Sequence, residues 1–261
     1  MEGGIACGKG CTQDANGKPL PQPVEMLVAG IWDNGALDGR RERFITIATR
    51  NDATGEWTLS QGPIVAATER GFSSVRAMKL HRDQVTGREY LFVGAACGGL
   101  YKVVYDPSAP GRVRWIESDE LDKSYGRIHS LCICNGSLYV SADYGGLLVQ
   151  NQSGGVFRRI DGAKPTWERV YRNYDPKYPT WNQTGRGITA VPAEDGSGKE
   201  VVLIGIEDPP EPVIVRIEPH HDHKAVVELN YHDYCRDAIL RREFRVASAS
   251  VQNLCRAELG A

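Results

Sequence analysis

The sequence predicts an all-β protein, a β-propeller of about five blades, and three observations carry that prediction. The first is a repeated phrase: Leu91-Phe92-Val93-Gly94-Ala95-Ala96-Cys97-Gly98-Gly99-Leu100-Tyr101 returns as Leu138-Tyr139-Val140-Ser141-Ala142-Asp143-Tyr144-Gly145-Gly146-Leu147-Leu148. Weaker copies lie at Met26 to Gly35 and Val202 to Pro210. Each is an apolar strand and a turn of small residues, followed in the clearer copies by a second alternating strand, which is the pattern of a β-hairpin. The second is a short strand ahead of the hairpin in the same phase, at Val75 to Met78, Ile128 to Leu131 and Ile188 to Val191. The third is a Trp behind it, Trp57, Trp115 and Trp167 closing the first three units. Taking Val28, Val93, Val140 and Ile204 as equivalent, the spacings are 65, 47 and 64 residues, a blade length with variable loops. A β-sandwich also alternates, but it gives no reason for turns to repeat in register.

Four strands per unit follow, and radial stacking covers the two faces that one such sheet leaves bare. Residues 1–23, rich in Gly, Pro and polar groups, read as an arm or an incomplete outer strand. The clear blades run over 24–66, 70–122, 123–182 and 184–234 of a single domain, 1–261. Asp106 to Gly111 is a turn between outer strands, and Pro176 and Pro179 mark a longer loop before the fourth unit. The tail from Cys235 to Ala261 breaks the pattern: Arg236 to Arg245 suits one or two helical turns, and Phe244 to Val251 alternates like a strand. Arm and tail are expected to share a fifth blade, tying the ring shut and leaving no sheet edge exposed.

With 261 residues, 41% hydrophobic and 25% charged, the chain is long and apolar enough for one large β domain and is not a disordered segment. A net charge of −2 supplies no basic field for nucleic acid or anionic lipid. No stretch approaches the roughly 18 apolar residues of a membrane span. The first residues lack the basic and apolar regions of a signal peptide, so a cytoplasmic protein is expected. Oligomeric state is not written in the sequence. Seven cysteines cannot all pair within one chain. Cys132 and Cys134 share one face of an inner strand and are expected to pack as small hydrophobes. Cys7 and Cys11 have the spacing of a redox pair or half a metal site, but no second pair at zinc-finger spacing accompanies them, and structural or unpaired thiols are the expectation.

In a propeller the inner strands converge on a central channel, so polar residues at equivalent blade positions are the candidates. Blade alignment groups Arg76, His129 and Thr189 on the inner strands. The hairpin turns bring Asp143 and Glu207, with Tyr144 and Asp208 next to them and Trp32, Asp33 and Asn34 from the first unit. Oxygen donors from several loops are how Ca2+ is held, at about 2.3–2.6 Å. Asp and Asn also serve as plain turn formers, and His129 lies between Ile128 and Leu131, where a core histidine is the ordinary outcome. The adjacent carboxylates Glu207 and Asp208, followed by two prolines, are harder to reduce to a turn. His220-His221-Asp222-His223 follows Glu218-Pro219 at the end of a strand and is expected to be a peripheral, solvated turn without the helical spacing of zinc hydrolases. Nucleophile-elbow, phosphate-loop and Rossmann signatures are all missing.

The phrase from Phe92-Val93-Gly94 to Gly99-Leu100-Tyr101 resembles that of the broad β-propeller class, over residues 24–234, with no Trp-Asp or kelch signature. Within that class the chain resembles the calcium-dependent lactonases of the gluconolactonase and paraoxonase type. It is similar, too, to metagenome-derived propeller hydrolases of N-acyl-homoserine lactones, a quorum-quenching activity. The resemblance implies one Ca2+ in the channel, with Asp143, Glu207, Asp208 and Asn34 as ligands. In the enzyme reading a carboxylate or His129 is expected to activate water and Arg76 to orient a small lactone or ester, with Trp32 and Tyr144 as substrate-binding residues. Ala96 and Cys97 depart from the resemblance by leaving one blade without an oxygen donor, and the blade number is lower than six. Two other functions compete: a non-catalytic module binding a carbohydrate or protein, and a polysaccharide lyase using His129, Tyr144 and Arg76.

Overall fold

The computed structural model describes residues 5–30, 44–50, 54–64, 75–95, 99–116, 121, 127–143, 154–171, 185–206, 213–219 and 222–230. These residues form four antiparallel four-stranded sheets that follow one another along the chain, an arrangement consistent with propeller blades. The first sheet holds β1 (Ile5–Gln13), β2 (Pro19–Gly30), β3 (Phe44–Arg50) and β4 (Trp57–Ile64). In the second are β5 (Val75–Arg82), β6 (Glu89–Ala95), β7 (Leu100–Tyr105) and β8 (Val113–Ile116). The third comprises β9 (Arg127–Cys134), β10 (Ser137–Asp143), β11 (Gly155–Ile160) and β12 (Thr166–Tyr171). The fourth comprises β13 (Gly185–Pro192), β14 (Glu200–Ile206), β15 (Val213–Glu218) and β16 (Lys224–Asn230). The repeated phrase supplies the second strand of each sheet.

Period-2 alternation explains why the sheets stack in series. On β6, Leu91 and Val93 belong to a core shared with Met26 and Ile47 of the first sheet. Phe92, between them, points the other way into a core with Ile128, Leu138 and Val140 of the third. On β10 the alternation repeats: Val140 faces the second sheet, while Tyr139 joins Cys132 and Cys134 in a core with Val202, Ile204 and Val215 of the fourth. Both middle sheets are therefore covered on both faces, which a two-layer sandwich does not do. Full burial of a side chain such as Val93 or Phe92 stabilises by roughly 1.5–3 kcal/mol.

The small residue of the phrase also has a packing cause. A Cβ on Gly94 would stand 2.3 Å from Cγ2 of Ile128 on the next sheet, so a glycine lets β9 pack closely on β6. The first strands lie side by side, β1 on β5, β5 on β9 and β9 on β13. Among the described residues β13 and β1 share no comparable interface. The N-terminal segment differs from its expected part in a fifth blade: Ile5–Gln13 pairs with β2 as the first strand of the first sheet. The cause is that Ile5, Ala6 and Cys7 continue the ladder opposite Ala29, Val28 and Leu27 despite the glycines around them. The tail lies outside the described residues.

At the hairpin joining first and second strands, each sheet grips the next through polar groups. Glu89 Oε2 accepts the Thr12 N–H at 2.7 Å across the first seam. Across the third, Glu200 Oε2 accepts the Asn135 N–H at 2.7 Å, and the Glu200 N–H returns a bond to Asn135 Oδ1 at 2.8 Å. Asn135 and Gly136 form a two-residue loop with φ of 48° and 77°, the type I′ geometry that suits Asn-Gly. Cys7 and Cys11 lie four residues apart on β1, on the order of 10–13 Å even allowing for the bulge, too far for a disulfide. Burial pushes the Cys11 and Cys134 thiols up to about 12, with nearby Glu89 and Glu200 adding to it, so both stay protonated.

Candidate functional site at the bulged strand ends

Register, more than side-chain identity, marks the candidate site. In the second sheet Met78 pairs with Val93 and Ala77 with Gly94, but the next pair is Val75 with Ala95, leaving Arg76 as an extra residue. In the third, Ser130 pairs with Ser141 and Ile128 with Ala142, leaving out His129. In the fourth, Gly187 pairs with Gly205 and Gly185 with Ile206, leaving out Arg186. Three successive first strands thus carry a β-bulge at one equivalent position, and its extra residue is Arg, His and Arg in turn. A bulge takes a residue out of the ladder and re-aims it, and such features gather beside functional sites. The first sheet differs, since the irregularities of β1 lie at its other end, between Gly8 and Gln13.

The alignment of Arg76 and His129 made from the sequence agrees with this register. Thr189 does not belong with them: it pairs with Leu203, three residues farther along β13, and Arg186 takes the equivalent place. The three-residue offset arises because Gly185 stands where the second and third sheets have Val75 and Ile128, so an alignment by apolar residues matches Ile188 to those two and not to Met78 and Leu131, its true equivalents. A signal was present in Gly185-Arg186-Gly187, where flanking glycines favour an irregular backbone.

The three bulges stand at the same end of the second, third and fourth sheets. There β2 ends at Gly30, β6 at Ala95, β10 at Asp143 and β14 at Ile206. Asp143 pairs with Arg127, two residues before His129. Glu207 and Asp208 follow Ile206, and Trp32 and Asn34 follow Gly30, so all the expected ligand and substrate residues leave the strands at this end. Trp32, Asn34, Tyr144, Glu207 and Asp208 themselves lie outside the described residues, as does the side chain of Asp143. Of the two expected catalytic residues, Arg76 is exposed and His129 is buried, flanked by Ile128 and Leu131 in the core between the second and third sheets. Among the described residues no group of three or more His, Cys, Asp or Glu is placed to hold a metal ion.

A second polar cluster, at the opposite end, is better connected but closed. Arg159 on β11 donates to Asp83 Oδ2 at 2.9 Å and also to Asp161. His81 Nε2 stands 2.9 and 3.0 Å from the two Asp161 oxygens, of which Oδ2 also accepts the Gln84 N–H at 2.8 Å. Asp83 Oδ1 accepts the Val85 and Thr86 N–H groups at 3.0 and 2.7 Å. The guanidinium lies over the Phe92 ring, 5.5 Å from its centroid. Burial pushes the Asp83 carboxyl up, but the bonds from Arg159, Thr86 and Gly162 outweigh it and hold the group well below the usual carboxylate range. With Arg159 and Asp83 side chains each 1% exposed, no substrate reaches the cluster, which clamps the second sheet to the third.

Within the histidine turn Asp222 is exposed, as expected, whereas His223 is not fully solvated. His223 is half-buried, with Nε2 3.4 Å from Tyr139 Oη and 3.4 Å from Arg158 Nη1. Its pKa is lowered, first by burial and then by the Arg158 charge, while burial raises that of Tyr139 so that its hydroxyl donates. A neutral His223 fastens the fourth sheet to the third. His220 and His221 lie outside the described residues.

Among the described residues no helix is long and apolar enough to cross a membrane. No protein-family model matches the chain, and no curated protein matches it significantly.

Proposed function

We propose that the protein hydrolyses small lactones or simple esters, N-acyl-homoserine lactones among them, at the bulged ends of its first strands. The observation that carries this reading is the coincidence of the bulges at Arg76 and His129 with the strand ends from which Asp143, Glu207, Asp208, Asn34, Trp32 and Tyr144 depart. Asp143, Glu207, Asp208 and Asn34 are hard oxygen donors, the donor set that fits Ca2+. Bound there, Ca2+ supplies Lewis-acid polarisation of the scissile carbonyl.

In this scheme His129 removes a proton from water as the water oxygen bonds to the acyl carbon. The acyl C–O bond then breaks, and the same proton passes from His129 to the departing alkoxide. Arg76 orients the substrate and offers N–H groups to developing negative charge. Trp32 and Tyr144 cover its apolar part.

Hydrolysis of a panel of acyl lactones and p-nitrophenyl esters, with EGTA and after restoring Ca2+, tests the proposal. Turnover is expected to vanish with chelator and return with calcium, and His129→Ala to lower kcat at least about 100-fold with little change in KM. Calcium-independent silence across the panel would instead favour a binding module. Unchanged kcat in His129→Ala would remove His129 from the chemistry.

A further inference from the structure

The repeated tryptophan marks a face of the first sheet that has the character of an interior seam and yet stands open. Trp115 pairs with Val103, and both pack into the core between the first and second sheets. Trp167 pairs with Arg159 and packs into the core between the second and third. Each of these tryptophans faces the preceding sheet. Trp57 holds the same place on the fourth strand of the first sheet, opposite Arg50. Ile47 and Thr49 point toward the second sheet, Ile47 in the shared core and Thr49 Oγ1 donating to the Gly111 carbonyl at 3.3 Å. Alternation therefore turns Ala48 and Arg50, with their partners Leu59 and Trp57, to the opposite face. Trp57 is 43% and Leu59 69% exposed, and among the described residues no sheet precedes the first.

The fourth sheet ends the series with the opposite kind of face. Val215 and Ile217 lie in the core shared with the third sheet, so Ile214, Arg216 and Glu218 alternate to the side on which a following sheet would stack, where all three are half-buried. We propose that a second copy of this chain covers both faces, in the place expected of the arm and tail. The first sheet of each copy packs on the fourth sheet of the other, and the pair closes as a ring of eight sheets, four from each. This contact continues the order within the chain, where each sheet lays its leading face on the trailing face of the one before. A two-fold axis repeats the seam twice and closes it, and eight is within the range of about four to eight blades that closed propellers hold. The charges are complementary. Arg50 pairs with Glu25 at 3.2 Å on the first sheet and Arg216 with Glu218 at 3.4 Å on the fourth, so each face offers the other a cation and an anion around its apolar side chains. Burial of Trp57 and Leu59 then supplies the apolar centre of each seam.

Analytical ultracentrifugation of the full chain over a range of concentrations, with hydroxyl-radical footprinting of the same samples read by mass spectrometry, tests the proposal. The expected mass is twice the 28.7 kDa of one chain, with Trp57 and Leu59 protected in the dimer and oxidised once dilution separates it. Leu59→Asp on the first sheet and Ile214→Asp on the fourth should each weaken the dimer at least about tenfold while the far-UV circular dichroism stays unchanged. Mixing the two variants should recover part of the affinity, because one seam of the mixed pair then joins two unaltered faces. A single-chain mass at every concentration overturns the inference, and protection of Trp57 in that monomer assigns the cover to the chain itself. A dimer in which Trp57 and Leu59 stay reactive, or variants that both dimerise like the parent, also overturns it. Loss of the dimer in Leu59→Asp alone would mean that first sheet meets first sheet, and would refute the ring.

Discussion

Replacing Arg159 by Met tests how the second and third sheets are held together. Arg159 is the cation that Asp83 and Asp161 share, and the side chains of Arg159, Asp83 and Asp161 are 1%, 1% and 8% exposed. In Arg159→Met, Asp161 keeps His81 and the Gln84 N–H, but Asp83 retains only neutral donors, the N–H groups of Val85, Thr86 and Gly162 and the Thr86 hydroxyl. Two carboxylates then share a buried site without their guanidinium, and breaking a buried pair in this way costs about 3–5 kcal/mol. For a chain of this size that corresponds to a fall in Tm of roughly 6–20 °C. The assay is urea unfolding at pH 7, followed by Trp fluorescence and by far-UV circular dichroism. Adding Asp83→Asn should recover at least about 1 kcal/mol, because one uncompensated charge has been removed. A loss under about 1 kcal/mol in the single variant, or a double variant no better than it, refutes the assignment of the cluster as a charge-balanced clamp.

Two further outcomes follow from the packing. Gly94→Val is expected to destabilise by about 1–3 kcal/mol, measured by the same unfolding, because its Cβ would meet Ile128 at 2.3 Å; an unchanged midpoint would mean that β9 does not pack against β6 as described. Stability should fall on the acid side in two stages when unfolding is repeated between pH 3 and 8. His223 has a folded pKa below its ordinary value of 6.5, so the unfolded chain takes up the proton first, and this contribution is full above about pH 6.5 and lost as the pH falls below it. Asp83 likewise has a depressed folded pKa, and its contribution is present above about pH 4 and lost below. His223→Gln should remove the first stage and Arg159→Met should shrink the second; a single loss insensitive to both would contradict the assignment.

Strand order was legible because it is local. Val93, Val140 and Ile204 recur in phase, and alternation about each tells which neighbours face opposite ways, so the four sheets could be read before any coordinate. Register was not legible in the fourth sheet, since Gly185 replaces the apolar residue that Val75 and Ile128 supply in the other sheets and the apolar pattern resumes only at Ile188, and this put Thr189 where Arg186 stands. The Arg159 clamp escaped for another reason. Its members lie nearly 80 residues apart and do not repeat, and a charged residue such as Asp83 reads as a turn former until its partner is seen. The N-terminal strand was masked by its glycines, which lower strand propensity while leaving room for Val24 beneath Gly10.

On the proposed function, the bulged strand ends are where the protein meets its ligand. Amide NMR of the 15N-labelled protein, titrated with a hydroxy-acid product of lactone hydrolysis, tests it most directly. Shifts are expected to appear together at Arg76, His129 and Arg186, with Asp83, Asn135 and Glu200 at the far hairpins unmoved. Shifts centred on those hairpins, or none at the three bulges, would contradict it.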